Sequence, residues 1–243
     1  LNAARSFQTF VRETDNLLVF DNDAWRQTGE SVEGGYDKIN EEIVRRFGVL
    51  FGAGEVGAGD DVGESVVDSS EIINTLAGGG VSTVGYASET VETGSDGLLS
   101  RFTNSGNGLE ESANTTNRIT SLIRKAALGR LTLPCEIDGA ERALVVLSGP
   151  PQHLNRKGIE RGRKWLEEQT GSMEVRGGDY PLPNEEKLAS SVLLSGVTNV
   201  PRIKELQRVA IEAQENIDDI RQESEANLRE LVEDDEDELE PLF

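Results

Sequence analysis

The sequence predicts an α/β chain with one long central helix, followed by a second half in which strands and helices mix as an α+β layer. Three observations carry this. The run NLLVF (16–20) is continuously apolar, which suits a strand buried on both faces. Residues 31–51 space Val32, Tyr36, Ile39, Ile43, Phe47 and Leu50 by 4, 3, 4, 4 and 3, the signature of one helical face. Beyond residue 114, helical and strand patterns follow one another in short segments.

Taken in order, residues 1–15 read as a short helix through Phe7, Phe10 and Val11. The strand at 16–20 ends in DNDAW, which puts Asn22 at a carboxyl end, where open α/β sheets bind ligands. Asp21 and Asp23 flank it as turn formers. In the central helix, Glu41 and Glu42 precede Arg45 and Arg46 by four residues, worth ~0.2–0.5 kcal/mol per pair. Residues 52–64 form a Gly-rich acidic loop. DSSEIINTLAGGG (68–80) then reads as a helix with its N-cap at Asp68 or Ser69; Asp68 and Glu71 fit a capping box. Residues 81–89 alternate as a strand, and 90–114 read as a long mobile loop rich in Gly, Ser, Asn and acids. A helix is expected at 115–131, with LTLPCEI (131–137) strand-like and 141–149 a strand. Residues 155–171 are a helix capped by Asn155 and stopped by Gly171. SMEVRGGDYPL and SSVLLSGV are strands, and Pro201 opens a long helix. The tail 233–243 is a charge run with an apolar tip.

The charge balance narrows the function. With 45 acids against 24 bases the net charge is −21, which repels nucleic acid phosphates over most of the surface. The bases are six Lys and eighteen Arg, and low Lys with excess acid suggests a surface adapted to high salt. One cysteine (Cys135) and one histidine (His153) exclude a zinc cluster, and nothing around His153 supports a Ser-His-Asp site. Cys135 reads as a buried inert thiol. There is no 18-residue apolar run and no signal peptide, so a soluble, cytoplasmic chain without a membrane segment is expected. The chain opens on Leu1 directly into a helical pattern, as expected of a sequence that begins inside a larger protein.

Few residues suit chemistry. LAGGGV lacks the Lys-Ser/Thr of a phosphate loop and follows its helix, at the carbonyl end, where phosphate is disfavoured. Its glycines read as a helix stop. Tyr36 and Asn40 lie one helical turn apart. A ring there can stack on a base and an amide can match a purine edge; core aromatic and polar rim are the alternative roles. Asp68 and Glu71 suit a helix start with no chemistry. A carboxylate so placed can equally orient a water for attack on a phosphoryl group.

Five stretches carry a resemblance over essentially the whole chain: LNAARSFQTFVRETDNLLVFDNDAW, GGYDKINEEIVRRFGVLFGAGE, VVDSSEIINTLAGGGVSTVGYASE, HLNRKGIERGRKWLEEQTGSMEVRGGDYP and LLSGVTNVPRIKELQ. They resemble the tubulin/FtsZ superfamily, in particular the tubulin-like CetZ group of haloarchaea. The resemblance implies a Rossmann-like GTPase domain joined by a core helix, here 31–51, to a two-layer α+β C-terminal domain. It divides the chain into 1–52, the remainder of the GTPase domain; 53–232, the C-terminal domain with a catalytic loop at 61–71 and a mobile loop at 90–114; and the acidic tail 233–243.

The resemblance also implies roles. Asn22 contacts the nucleotide, Tyr36 stacks near the base, and Asn40 reads the guanine edge of GTP or GDP. Glu71, then Asp68, is the acid that activates water, acting on the nucleotide of a neighbouring subunit in a head-to-tail protofilament. The catalytic loop has Val66 where bacterial division proteins carry Asn, so the handling of Mg2+ at this loop stays open. A role in cell shape is implied; a division-ring role and a non-hydrolysing interaction module of the same fold are the alternatives. The loop at 90–114 falls near the lateral-contact region, where its composition argues against tight sheet-forming contacts; a simple surface loop is the alternative. The acidic tail suits either an adaptor at its apolar end, LEPLF, or a merely solvated run. One departure is large: the family's glycine-rich phosphate signature, GGGTGSG, is absent from these 243 residues. They are read as a fragment or a truncated homologue. The 243-residue chain alone is therefore expected to show no tight saturable binding when fluorescent GTP is titrated onto it; a nanomolar affinity would contradict this.

Overall fold

The computed structural model describes residues 2–26, 32–54, 67–91 and 108–236. The chain divides into two compact units, 11–200 and a second made of 1–10 with 201–243.

In the larger unit, five strands form one mixed sheet in the order β1-β2-β5-β3-β4. They are β1 (Leu17–Leu18), β2 (Val81–Thr90), β3 (Arg142–Gly149), β4 (Glu174–Pro181) and β5 (Lys187–Ser195). β5 runs antiparallel to both β2 and β3, with Val84 opposite Leu193 and Leu193 opposite Leu144. β1 on β2 and β4 on β3 are parallel. Residues 16–20 fall short of the doubly buried strand expected of them. Only Leu17 and Leu18 pair, at a sheet edge, and the run is half-buried.

The pleat sends alternate residues to opposite faces. Val84, Leu144, Val146 and Leu193 share a buried cluster with Leu50 and Ala53 of α3 (Val32–Gly54), with Val67, and with Ile72 of α4 (Ser69–Leu76). A fully buried Leu or Val is worth ~1.5–3 kcal/mol, against ~0.2–0.5 for a helix-surface ion pair. The cluster, rather than the Arg45 pairs with Glu41 and Glu42, therefore anchors α3. On the other face lie α5 (Gly108–Leu128) and α6 (Arg156–Thr170). Gly158 and Gly162 of α6 sit directly against Ile119 and Ile123 of α5. The α+β layer thus gains a third tier, with α3 and α4 on its far face.

Several boundaries differ from expectation. α3 runs on through 52–54, and 55–66 lie outside the described residues. α5 begins at Gly108, so the end of the expected 90–114 loop is helical; 92–107 lie outside the described residues. α5 also stops at Leu128, short of 131. Its buried stripe, Ile119, Leu122, Ile123 and Ala126, supplies the stability that a Gly, Ser and Asn composition at its start conceals.

LTLPCEI forms no ladder strand. It still lies along β2: Thr132 N–H donates to the Val84 carbonyl at 2.9 Å, and Leu133 N–H donates to the Thr83 hydroxyl at 3.0 Å. A hydroxyl takes the place of a backbone partner, and Pro134 has no N–H with which to extend the pairing. Cys135 here is half-buried, and burial pushes its thiol pKa up to about 11, as an inert thiol requires.

The caps agree with the sequence. Asn155 accepts from the N–H of Lys157 and Gly158, and Gly171 ends α6. After α4, Gly79 and Gly80 both take φ of 78°, a left-handed turn that only glycine adopts without strain, leading into β2. Asn16 closes this corner, donating from Nδ2 to the carbonyls of Leu76 and Gly79, each at 3.0 Å.

In the smaller unit, α7 (Pro201–Glu236) opens on Pro201 as expected. It extends through 233–236, so the acidic run starts inside a helix; 237–243, and the adaptor expectation attached to them, lie outside the described residues. The Arg5 guanidinium in α1 (Asn2–Glu13) donates to the Gln214 side-chain oxygen at 3.0 Å. No helix among the described residues is long and apolar enough to cross a membrane.

A Cβ at Gly85 of β2 would lie 2.0 Å from the Ala126 carbonyl oxygen of α5. Neither backbone can yield without moving α5 off the sheet. Gly85→Ala is expected to cost about 2–3 kcal/mol or more, read as a lowered urea midpoint for unfolding of this unit.

Candidate functional site

Asp68 has extended backbone (φ −109°, ψ 170°) and is the N-cap of α4. Its Oδ1 accepts from the Glu71 N–H at 3.0 Å and from the Ser70 hydroxyl at 2.5 Å. This is the forward half of the expected capping box. The Ser70 bond first, then the Glu71 N–H, holds the exposed Asp68 carboxyl below the usual range, so it is an anion at neutral pH. Val67, just before it, is fully buried and donates its N–H to the Asp179 carbonyl of β4 at 3.2 Å. The start of α4 is thus pinned to the sheet.

Glu71 is half-buried. Burial first, and the neighbouring Asp68 charge second, raise its pKa; the fields of Arg176 and Arg163 act the other way. Two carboxylates three residues apart are driven in opposite directions. One is a fixed anion that caps the helix, and the other takes a proton more readily than an ordinary glutamate. That division suits a group that accepts a proton from water. Val66 lies outside the described residues.

Tyr36 and Asn40 are both exposed on α3, Tyr36 at 45 %. The neighbouring stripe of the same helix, Ile39, Arg46, Leu50 and Ala53, is buried. Tyr36 is therefore not a core aromatic, and the ring and the amide are open together on one anchored helix. Asn22 opens a single helical turn, α2 (Asn22–Trp25), rather than sitting in a loop. Asp21 caps that turn by accepting from the Asp23 N–H, as its turn-forming role predicts.

A cluster the sequence did not single out holds α2 in place. Trp25 Nε1 donates to the Leu131 carbonyl at 3.3 Å. The guanidinium groups of Arg46 and Arg130 lie 4.2 and 4.4 Å from the centre of its ring. Arg46 is 4 % exposed, pairs with Glu42, and lies 5.7 Å from the Tyr86 ring of β2. Burial lowers its pKa, and the hydrogen bond and charge of Glu42 oppose that shift. A cation stacked out of water in this way is worth about 2 kcal/mol, against ~0.5–1 when exposed.

Residues 29–212 match the family described as tubulin-like CetZ, C-terminal domain, which is most of the chain. The chain belongs to the tubulin-like CetZ family. Among relatives of this CetZ chain is the tubulin-like protein CetZ1 of Haloferax volcanii, 79% identical over 227 residues. The alignment takes in 91% of this chain and 58% of CetZ1, so the chain spans little more than half of that relative's length. A solved GDP-bound monomer of the same protein superposes with a TM-score of 0.72 over 88% of this chain and 55% of that one, at 74% identity. CetZ2 of H. volcanii, solved as a GTPγS-bound protofilament, gives a TM-score of 0.72 at 42% identity over 89% of this chain and 57% of that one. FtsZ of M. jannaschii, at 17% identity and a TM-score of 0.58 over 81% of this chain and 51% of that one, shares the fold alone. The expected family and fold stand.

The two carboxylates of the CetZ chain can be separated experimentally. Asn caps a helix about as well as Asp, so Asp68→Asn keeps α4 and removes one negative charge beside Glu71. The Glu71 titration, followed by carboxyl NMR, is expected to move to lower pH.

Proposed function

We propose that the chain is part of a tubulin-like cytoskeletal GTPase of the CetZ type, which polymerises head to tail with GTP, governs cell shape and hydrolyses the nucleotide between subunits. The observation that carries this is the separation of two half-sites along α3. Tyr36 and Asn40 occupy its first half, whereas the acid-bearing start of α4 packs, through Val67 and Ile72, with Leu50 and Ala53 near its end. Ten residues part Asn40 from Leu50, which is ~15 Å of helix. On this reading the base is held beside the first half of α3, by Tyr36 and Asn40 with Asn22, and Glu71, beside its last turns, serves a neighbour's nucleotide.

The GDP-bound and GTPγS-bound states of the CetZ relatives support guanine nucleotide as the ligand, and the CetZ2 protofilament supports self-association. The nucleotide-binding part ends with α3 near residue 52, and 53–232 form the C-terminal domain. Asp68 caps α4 and keeps Glu71 in place; Glu71 orients the water and takes its proton. Among the described residues no three His, Cys, Asp or Glu side chains converge. A Mg2+ ion accompanying the nucleotide would be held in part by its phosphate oxygens.

In the full-length protein, Glu71→Ala is expected to slow GTP turnover by about 10²–10⁴-fold, to prolong polymers, and to leave nucleotide affinity unchanged. Phosphate release and light scattering on one sample read both effects. Unchanged turnover would move the role to Asp68 or leave a non-hydrolysing module of the same fold.

A further inference from the structure

We propose that Trp25, stacked with the guanidinium groups of Arg46 and Arg130, is the positioning residue that sets Asn22 against the nucleotide; this rests on the nucleotide reading of Asn22 given above. Asn22 and Trp25 are the first and last residues of α2, a helix of four residues with none buried. One turn of helix does not hold itself together in water, because its nucleation is unfavourable. Its place is set by tethers on both sides: just before Asn22 the Asp21 N–H donates to the Thr132 carbonyl at 2.8 Å, and the others hold its last residues. Trp25 donates to the Leu131 carbonyl, Arg130 donates to the Ala24 carbonyl, and Phe20 packs on Trp25 with ring centres 5.3 Å apart.

The tether that matters for a ligand is Arg46. It belongs to α3, the helix that carries Tyr36 and Asn40, and follows Asn40 by less than two turns. The 4.2 Å stack of Arg46 on Trp25 therefore joins the element bearing Asn22 to the element bearing the two base-facing residues. Glu42 fixes the guanidinium from one turn earlier on α3, and the Tyr86 ring backs it from β2.

Stability alone does not account for this choice. Burying a cation is costly, and apolar residues of similar volume commonly stabilise as well or better in place of a buried pair. Trp25 draws on two cations, and one of them is almost wholly out of water. A planar guanidinium supplies what an aliphatic side chain cannot: a fixed stacking plane and donors held by a carboxylate. Lysine, a flexible point charge, keeps the sign and loses the plane.

The experiment is a mutant cycle on GDP affinity in the full-length protein, using a fluorescent GDP below the melting transition of every variant. Asn22→Ala and Arg46→Lys are each expected to weaken binding roughly tenfold, and the double variant no further than the weaker single. An Arg46 that merely supports the fold would combine with Asn22→Ala multiplicatively; that result overturns the proposal and leaves Asn22 in its role. If Asn22→Ala alone binds GDP as tightly as the parent, the nucleotide reading of Asn22 fails and the proposal falls with it. Should Arg46→Lys not fold, Trp25→Phe, which keeps a ring and loses the N–H to Leu131, enters the same cycle. It is expected to show the same lack of additivity with Asn22→Ala, and additivity there overturns the proposal.

Discussion

Helix α3 must bury one face, and what it buries decides where the rest of the larger unit can go. Its stripe of Ile39, Arg46, Leu50 and Ala53 is closed to water, while Tyr36, Val44 and Phe51 are left open. The apolar end of that stripe, Leu50 and Ala53, docks on β2, β3 and β5 and takes Val67 and Ile72 with it, so the start of α4 has one place to sit. The middle of the stripe is not apolar. Arg46 occupies it, and the aromatic rings of Trp25 and Tyr86 are its neighbours there. A single helix surface thus sorts its partners by chemistry: α4 and the sheet core at the apolar end, the short α2 turn and the Tyr86 ring at the cationic middle.

The face of the sheet that carries α5 and α6 is organised by closeness rather than by bulk. Gly85 lets the α5 backbone approach β2, and Gly158 and Gly162 let α6 settle on α5. In such contacts the missing side chain is the structural element, because dispersion and burial fall away quickly when two surfaces separate by even a fraction of an ångström. The two faces therefore tolerate different changes. The α3 side can trade one apolar residue for another of like volume, and the α5 side cannot accept an added methyl at its glycines.

Much of the architecture was legible in the sequence, and the reasons are local. The period of α3, the acceptors Asp68 and Asn155, the Gly79–Gly80 turn and Pro201 are each decided within a few residues of themselves. Failures came where distant parts decide. Residues 131–137 look like a strand by composition, but Thr83 and Thr132 hydroxyls complete their bonding to β2 and no ladder forms. The first turns of α5 look like loop because the burial that sustains the helix lies further along it. For the site, local pattern left Tyr36, Asn40, Asp68 and Glu71 with structural readings as good as functional ones. Family resemblance, rather than spacing, assigned them roles. The grouping of Trp25, Arg46 and Arg130 was out of reach of any sequence window, since Trp25 and Arg130 are brought together by the fold alone.

The arrangement along α3 also bears on symmetry. On the proposed roles, the surface of Tyr36 and Asn40 receives a base and that of Glu71 offers an acid; the two are unlike, and they lie at different points along one helix. Two copies related by a two-fold axis would set like against like and complete neither pair. Only a heterologous contact brings the two kinds of surface together, and such a contact, unless its rotation happens to close a ring, repeats without end. A chain made this way carries a direction, and any assembly built from it inherits two different tips.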